Sequence, residues 1–222
     1  MSREVELGFE FVMLAEAIGK HLRCPRKSVT GWMVILWLKA HNRNLEASAV
    51  QLAGVQPNDT VLELGHGPGL GLQSAAKLLT GPKGHIIGVD YSEYMHKRVK
   101  RQLKNLVVSG KLTLHHCDVA AMPLEDNTVN KVFHSNCYYY WPDLRKGAKE
   151  IHRVMKPGGL MVTVLYLYEV ENIAAKWFVS GDNWRPENYM SALSDSGFTD
   201  IRIEDTTHGY KPFQAIYAIA NK

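Results

Sequence analysis

The stretch Glu63-Leu64-Gly65-His66-Gly67-Pro68-Gly69 decides the fold class. It closes a short apolar run, Thr60 to Leu64, that reads as a strand, and it precedes Leu70 to Leu79, which reads as a helix. Glycines at such a turn permit positive φ and let a ligand approach the backbone closely. A Gly-rich turn from strand to helix holds nucleotides at the C-terminal edge of a parallel sheet. The dinucleotide fingerprint G-x-G-x-x-G fails in both registers, because Leu70 or Leu72 stands where the third glycine belongs. Pro68 also removes an N–H that a pyrophosphate would use as donor. The Gly-Lys-Ser/Thr ending of an ATPase loop is absent. A ligand carrying an adenosine without phosphates fits this spacing better.

Outward from the loop, strands and helices alternate. His85 to Val89 reads as a second strand ending in Asp90, and Ser92 as the N-cap of a helix running to Val108. Leu112 to His115 is a third strand, and Val129 to Phe133 opens a fourth. Asp143 begins a helix stopped by Lys156-Pro157-Gly158-Gly159, and Leu160 to Leu167 is a fifth, almost wholly apolar strand. Continuous apolar strands between helices predict a doubly wound α/β sheet, mostly parallel and covered on both faces. After a helix from Pro186 to Ser196, the runs 201–203 and 215–219 have no helix between them, which predicts an antiparallel closing pair. Upstream, residues 1–54 read as helical, with Val12, Leu14, Ala15, Ile18 and Leu22 at helical spacing, Pro25 as a break, and a second stretch from Trp32 to Leu52. The expected organisation is an N-terminal helical cap, residues 1–54, on a body of residues 55–222, forming one compact domain.

With 222 residues, 45% hydrophobic and 22% charged, the composition is that of a globular protein and excludes disorder or coiled coil as the main architecture. A chain this long buries roughly 70% of its surface and needs no disulfide or metal staple. The net charge of +4 is too small to imply nucleic acid by itself. Cys24, Cys117 and Cys137 are odd in number and lack C-x-x-C spacing, so neither a disulfide framework nor a metal site is expected, and a cytoplasmic location is. The longest apolar run, Trp32 to Leu38, is far short of a membrane span.

Together these segments resemble the class I S-adenosylmethionine-dependent methyltransferases, over about Asn58 to Leu167. Glu63 to Gly69 resembles their first motif. Asp90 stands about 20 residues beyond the glycines, where the acid for the ribose hydroxyls belongs. Cys117-Asp118-Val119 resembles the segment reading the adenine edge, Phe133-His134-Ser135-Asn136 the strand end beneath the methionine part, and Val154 to Leu160 the signature before strand five. The resemblance implies a seven-stranded Rossmann-like methyltransferase fold with an antiparallel last strand, and S-adenosylmethionine as cofactor. It implies Glu63, Gly65, His66, Gly67, Gly69, Asp90, Tyr91, Asp118, Val119 and Ser135 as cofactor-binding residues.

Among subfamilies the chain looks most like the small-molecule methyltransferases of ubiquinone and menaquinone biosynthesis. Its fourth-strand motif differs from those of amino-methylating and cytosine-methylating DNA enzymes, which argues against nucleic acid as partner. His134 and Tyr138 are candidate catalytic bases by position alone. At least one of Tyr138, Tyr139, Tyr140 and Trp141 is expected to face substrate, and the cap and the stretch 168–184 to cover it. The basic stretch Lys97 to Lys104 reads as a solvated helix face. A monomer or homodimer is expected. A nicotinamide-dependent oxidoreductase and a non-catalytic scaffold stand as alternatives.

Overall fold

A computed structural model describes residues 19–175, 181–208 and 211–222. The helix expected over Val12 to Ile18 lies outside them, as does part of the stretch 168–184. Helix α1 spans Val29–Leu52 and begins where Ser28 Oγ accepts the Gly31 N–H. Such a cap contributes about 1 kcal/mol. The body follows as β1 Thr60–Leu64, α2 Leu70–Leu78, β2 His85–Asp90, α3 Glu93–Gln102, α4 Lys104–Val108, β3 Leu112–His116 and β4 Val129–Ser135. Then come a 3-10 turn at Tyr138–Tyr140, α5 Leu144–Val154, β5 Met155–Leu165, α6 Leu167–Ala175, α7 Pro186–Asp195, β6 Phe198–His208 and β7 Lys211–Ala220.

The seven strands form one sheet in the order β3-β2-β1-β4-β5-β7-β6. β1 to β5 pair in parallel, and β7 runs antiparallel to both β5 and β6. The doubly wound sheet and its antiparallel last strand are as expected. Three boundaries differ. The helix expected from Ser92 to Val108 breaks at Leu103 into α3 and α4. The Lys156-Pro157-Gly158-Gly159 segment does not separate helix from strand: β5 already pairs at Met155, and the proline and glycines fill an irregularity before Leu160. The closing strands are long, because β6 and β7 pair along nearly their whole length as a hairpin.

Side chains alternate across the sheet. Leu62, Leu64 and Val132 enter one core with Ile151 of α5 and Tyr189 of α7. Val61, Phe133 and Val162 enter the other with Leu45 and Ala49 of α1, Leu72 of α2 and Val99 of α3. Helix α1 is therefore a core helix of one sheet face, not a separate lobe. β1 and β4 are neighbours at the point where strand order reverses, and their C-terminal ends open the crevice in which such sheets bind ligands.

Candidate active site

The loop after β1 is held by its neighbours. The Gly65 N–H donates to Val89 O at 2.8 Å, and Gly65 sits at φ +63°. A Cβ there would lie 2.6 Å from Cys137 Sγ, so only glycine lets the loop meet the turn after β4. Asp90 ties two loops together: Oδ2 accepts the Gly67 N–H at 2.8 Å and Oδ1 the Ser92 N–H at 2.7 Å. A carboxylate has about four acceptor positions, so two remain for a ligand. Ser92 Oγ in turn donates to Pro25 O at 2.7 Å, anchoring the segment before α1 over the β2 edge.

These elements wall a cavity of about 220 Å³. Of the sequence-expected residues, Gly65, Gly67, Asp90, Tyr91, Asp118, Val119 and Ser135 are brought together on its wall. Tyr139, Tyr140 and Trp141, three of the four aromatic residues of that turn, join them. Glu169, Val170 and Ile173 of α6 contribute from the expected covering stretch.

Five expected residues do not line this wall. Gly69 caps α2 at φ +77°, against Val99. His66 is fully buried, with Nδ1 3.1 Å from Gly67 O and Nε2 without a partner among the described residues. Glu63 lies behind the wall. A Cβ on Gly71 would come within 2.3 Å of its Oε1, so that glycine makes room for the carboxyl. His134 and Tyr138, the candidate bases, also belong to the core. His134 is fully buried, with Nε2 2.9 Å from Tyr189 Oη and 2.8 Å from Thr163 Oγ1. Tyr138 donates its hydroxyl to Trp184 O at 2.8 Å and stacks on Tyr189. The reason is strand alternation: Ser135 faces α1 and the cavity, so His134 must face α7.

Burial pushes the His134 imidazole down to about 3 and raises the Tyr138 hydroxyl above its ordinary range. Neither is poised to exchange a proton near neutrality. A depressed histidine contributes stability above its unfolded value near 6.5, and that stability is lost as pH falls toward about 3. His134→Phe keeps a ring, slightly larger than the imidazole, in the core and removes the hydrogen bonds. Denaturant unfolding is expected to show a loss of about 1–2 kcal/mol, with cofactor affinity unchanged in calorimetry. A large affinity loss in a folded variant would return His134 to the site.

The sequence reading missed what α1 supplies. Asn42 and Glu46, one turn apart, reach the cavity from a helix otherwise packed through Ile35, Leu45 and Ala49. Glu46 Oε2 accepts the Ser135 hydroxyl at 3.1 Å, and Asn136 Nδ2 donates to Asn42 Oδ1 at 3.3 Å. The Glu63 carboxyl lies close enough for the two acids to affect each other's titration, yet neither Glu63 oxygen has a well-formed hydrogen bond among the described residues. Burial raises Glu46 to about 7; burial and the adjacent Glu46 hold Glu63 well above the usual carboxylate range. Both shifts favour the protonated forms, because burial and the neighbouring acid each disfavour a second negative charge. Asn42 and Glu46 stand among Lys39, His41, Arg43 and Asn44, so nothing in the sequence marks these two polar residues off from their solvated neighbours. Further out, His41 Nε2 lies 2.6 Å from Glu169 Oε2, and Lys211 Nζ 2.9 Å from Glu169 Oε1, bracing α1 against α6 and β7.

Neither Cys117 nor Cys137 is a reactive thiol. Burial pushes Cys117 up to about 11 and Cys137 to about 12. No cluster that could hold a metal ion occurs among the described residues.

The site fits an adenosyl ligand without phosphates. Asp90 has spare acceptor positions at the wall, Pro68 offers no N–H, and a buried carboxyl meets the cavity through Glu46. The comparisons agree. A methyltransferase domain family matches residues 61–159. The uncharacterized methyltransferase YdaC of Bacillus subtilis is 29% identical over 185 residues, 83% of this chain and 95% of that protein. The demethylmenaquinone methyltransferase of Desulfitobacterium hafniense is 32% identical over 117 residues, 52% of this chain and 46% of its own. A SAM-dependent methyltransferase from Aquifex aeolicus superposes with a TM-score of 0.63 at 23% identity, covering 84% of this chain and 96% of that one. The chain is a class I S-adenosylmethionine-dependent methyltransferase. As a methyltransferase of this class it uses S-adenosylmethionine and not a nicotinamide cofactor. Among the described residues no helix is long and apolar enough to cross a membrane.

Proposed function

We propose that this methyltransferase acts on a small organic acceptor bound between α1, α6 and the aromatic turn after β4. The observation that carries the reading is the cavity's construction. Strand ends with Gly65, Gly67 and Asp90 form its floor, while α1 and α6 close over it, leaving about 220 Å³ for ligands. A folded polymer does not enter such a space. In this reading Asp90 takes the ribose hydroxyls, Asp118 and Val119 the adenine edge, and the Gly65–Gly67 backbone the methionine end. Glu46 replaces Glu63 as the acid facing that end. The bound cofactor supplies an electrophilic methyl carbon on a sulfonium. The chain's own work is to align the acceptor and exclude water, and alignment alone is worth several orders of magnitude in rate. Tyr139, Tyr140 and Trp141 suit this, since aromatic faces stack flat molecules and attract cations.

The quinone-biosynthesis relative, whose aligned part is less than half its length, supports a small flat acceptor. Three free cysteines accord with a reducing, cytoplasmic location.

S-Adenosylmethionine and S-adenosylhomocysteine are expected to raise the melting temperature, because a ligand binding only the folded state stabilises it. NAD and NADP are expected to leave it unchanged. Labelled methyl donor incubated with a small-metabolite extract, set against RNA, DNA and protein, then tests the acceptor class. Label transfer confined to macromolecules would overturn the proposal.

A further inference from the structure

The first turns of α1 carry an apolar stripe that the described residues leave exposed. Val29, Trp32, Met33, Leu36 and Trp37 are each between 44% and 76% exposed. They recur at i, i+3, i+4, i+7 and i+8, so they form one continuous face. A soluble surface rarely presents two tryptophans and three large aliphatics side by side without a partner.

The charges around the stripe have one sign. No aspartate or glutamate occurs from Arg23 to Leu45, while Arg23, Arg26, Lys27, Lys39 and Arg43 do. Arg26, Lys27 and Arg43 are exposed at its two ends. Along its flank lies α3. Lys39 Nζ donates to Gln102 Oε1 at 3.2 Å, and burial, with Arg98 and Arg43 nearby, pushes the Lys39 amine down. Trp32, seven residues before Lys39, lies on the same side of α1. Helix α3, which meets α1 at Lys39, and the start of α4 also carry the exposed row Lys97, Lys100, Arg101 and Lys104, with the one exposed acid of α3, Glu93, already paired to Lys97 at 2.5 Å. A helix with tryptophan and aliphatic residues on one face and basic residues beside it has the composition of an interfacial helix.

We propose that the Val29–Trp37 face of α1, with the basic face of α3 beside it, docks the enzyme on an anionic lipid bilayer. Apolar side chains enter the acyl boundary while the basic row meets lipid phosphates. Trp37 belongs both to the stripe and to the cavity wall, so the docked surface reaches the mouth of the site. A docking site there gives the basic stretch Lys97–Lys104, which the cavity does not use, a role.

The test is sedimentation of the full chain with vesicles of phosphatidylcholine alone and of phosphatidylcholine mixed with phosphatidylglycerol. The chain is expected to sediment with the mixed vesicles, to stay in solution with the neutral ones, and to be released by salt. Trp32→Ser combined with Leu36→Ser is expected to lower partitioning by about tenfold or more. Neutralising Lys100 and Arg101 is expected to lower it by about fivefold per charge. Melting temperature and S-adenosylhomocysteine affinity should be unchanged in all variants, since these residues lie outside core and cavity. Failure of the full chain to sediment with anionic vesicles overturns the proposal. So does equal sedimentation of the Trp32/Leu36 variant. A dimer in sedimentation equilibrium that the same variant abolishes would instead assign the stripe to a second copy of the chain.

Discussion

Asp90→Ala is expected to lower affinity for S-adenosylhomocysteine by about 10- to 1,000-fold, because each charge-assisted hydrogen bond to a ribose hydroxyl is worth about 1.5–3 kcal/mol before compensation. The same substitution releases the Gly67 and Ser92 N–H groups, which Asp90 holds at 2.8 and 2.7 Å. Leaving them unpaired costs about 1–3 kcal/mol of stability each where water cannot replace the carboxylate. The variant should therefore melt lower and bind worse, and calorimetry at a temperature where it remains folded separates the two effects. Asp90→Asn keeps the shape and one acceptor oxygen, so it should recover part of the melting temperature and less of the affinity. A folded Asp90→Ala protein with undiminished affinity would mean that the ribose is held elsewhere.

The second large effect is a pH dependence set by α1. Glu46 is held up to about 7 and Glu63 above its usual range, both chiefly by burial. An acid whose folded pKa is raised contributes stability that is complete below its unfolded value near 4.5 and is lost as pH rises through the folded value. For Glu46 that window runs from about 4.5 to about 7, and the loss is on the order of 3 kcal/mol in the cofactor-free protein. His134 acts in the opposite sense, losing stability as pH falls, so the raw curve mixes two terms. The difference between wild type and Glu46→Gln cancels the His134 contribution and reports the Glu46–Glu63 pair, because Glu46 also helps to hold Glu63 up. Urea unfolding is expected to show the variant at least as stable as wild type near pH 8, with its advantage shrinking toward pH 5. A variant equally destabilised at both pH values would mean that Glu46 is held ionised.

Local chemistry made much of this protein legible. Gly65 and Gly67 without a third glycine at Leu70, and Pro68 beside them, separate an adenosyl site from a pyrophosphate site through backbone donors alone. Asp90 closes a strand of six apolar-flanked residues, and its position there requires no knowledge of what packs above it. The alternation of apolar strands and helices likewise implied the parallel sheet, since a strand buried on both faces must be apolar throughout.

Which face each residue takes was decided only in three dimensions. One residue of register separates Ser135, bonded to Glu46 at the cavity, from His134, locked to Tyr189 and Thr163 in the opposite core. Sequence position put both at the end of the fourth strand, and the pleat assigned them opposite sides. Glu63 and Glu46 are 17 positions apart in sequence, on a strand and a helix; only packing of α1 across the sheet sets their carboxyls together and places Glu46, not Glu63, at the wall. Motifs act through backbone geometry within a few residues and so can be read along the chain. Burial, charge pairing and access to the cavity depend on which distant elements meet, and that is fixed by the tertiary structure.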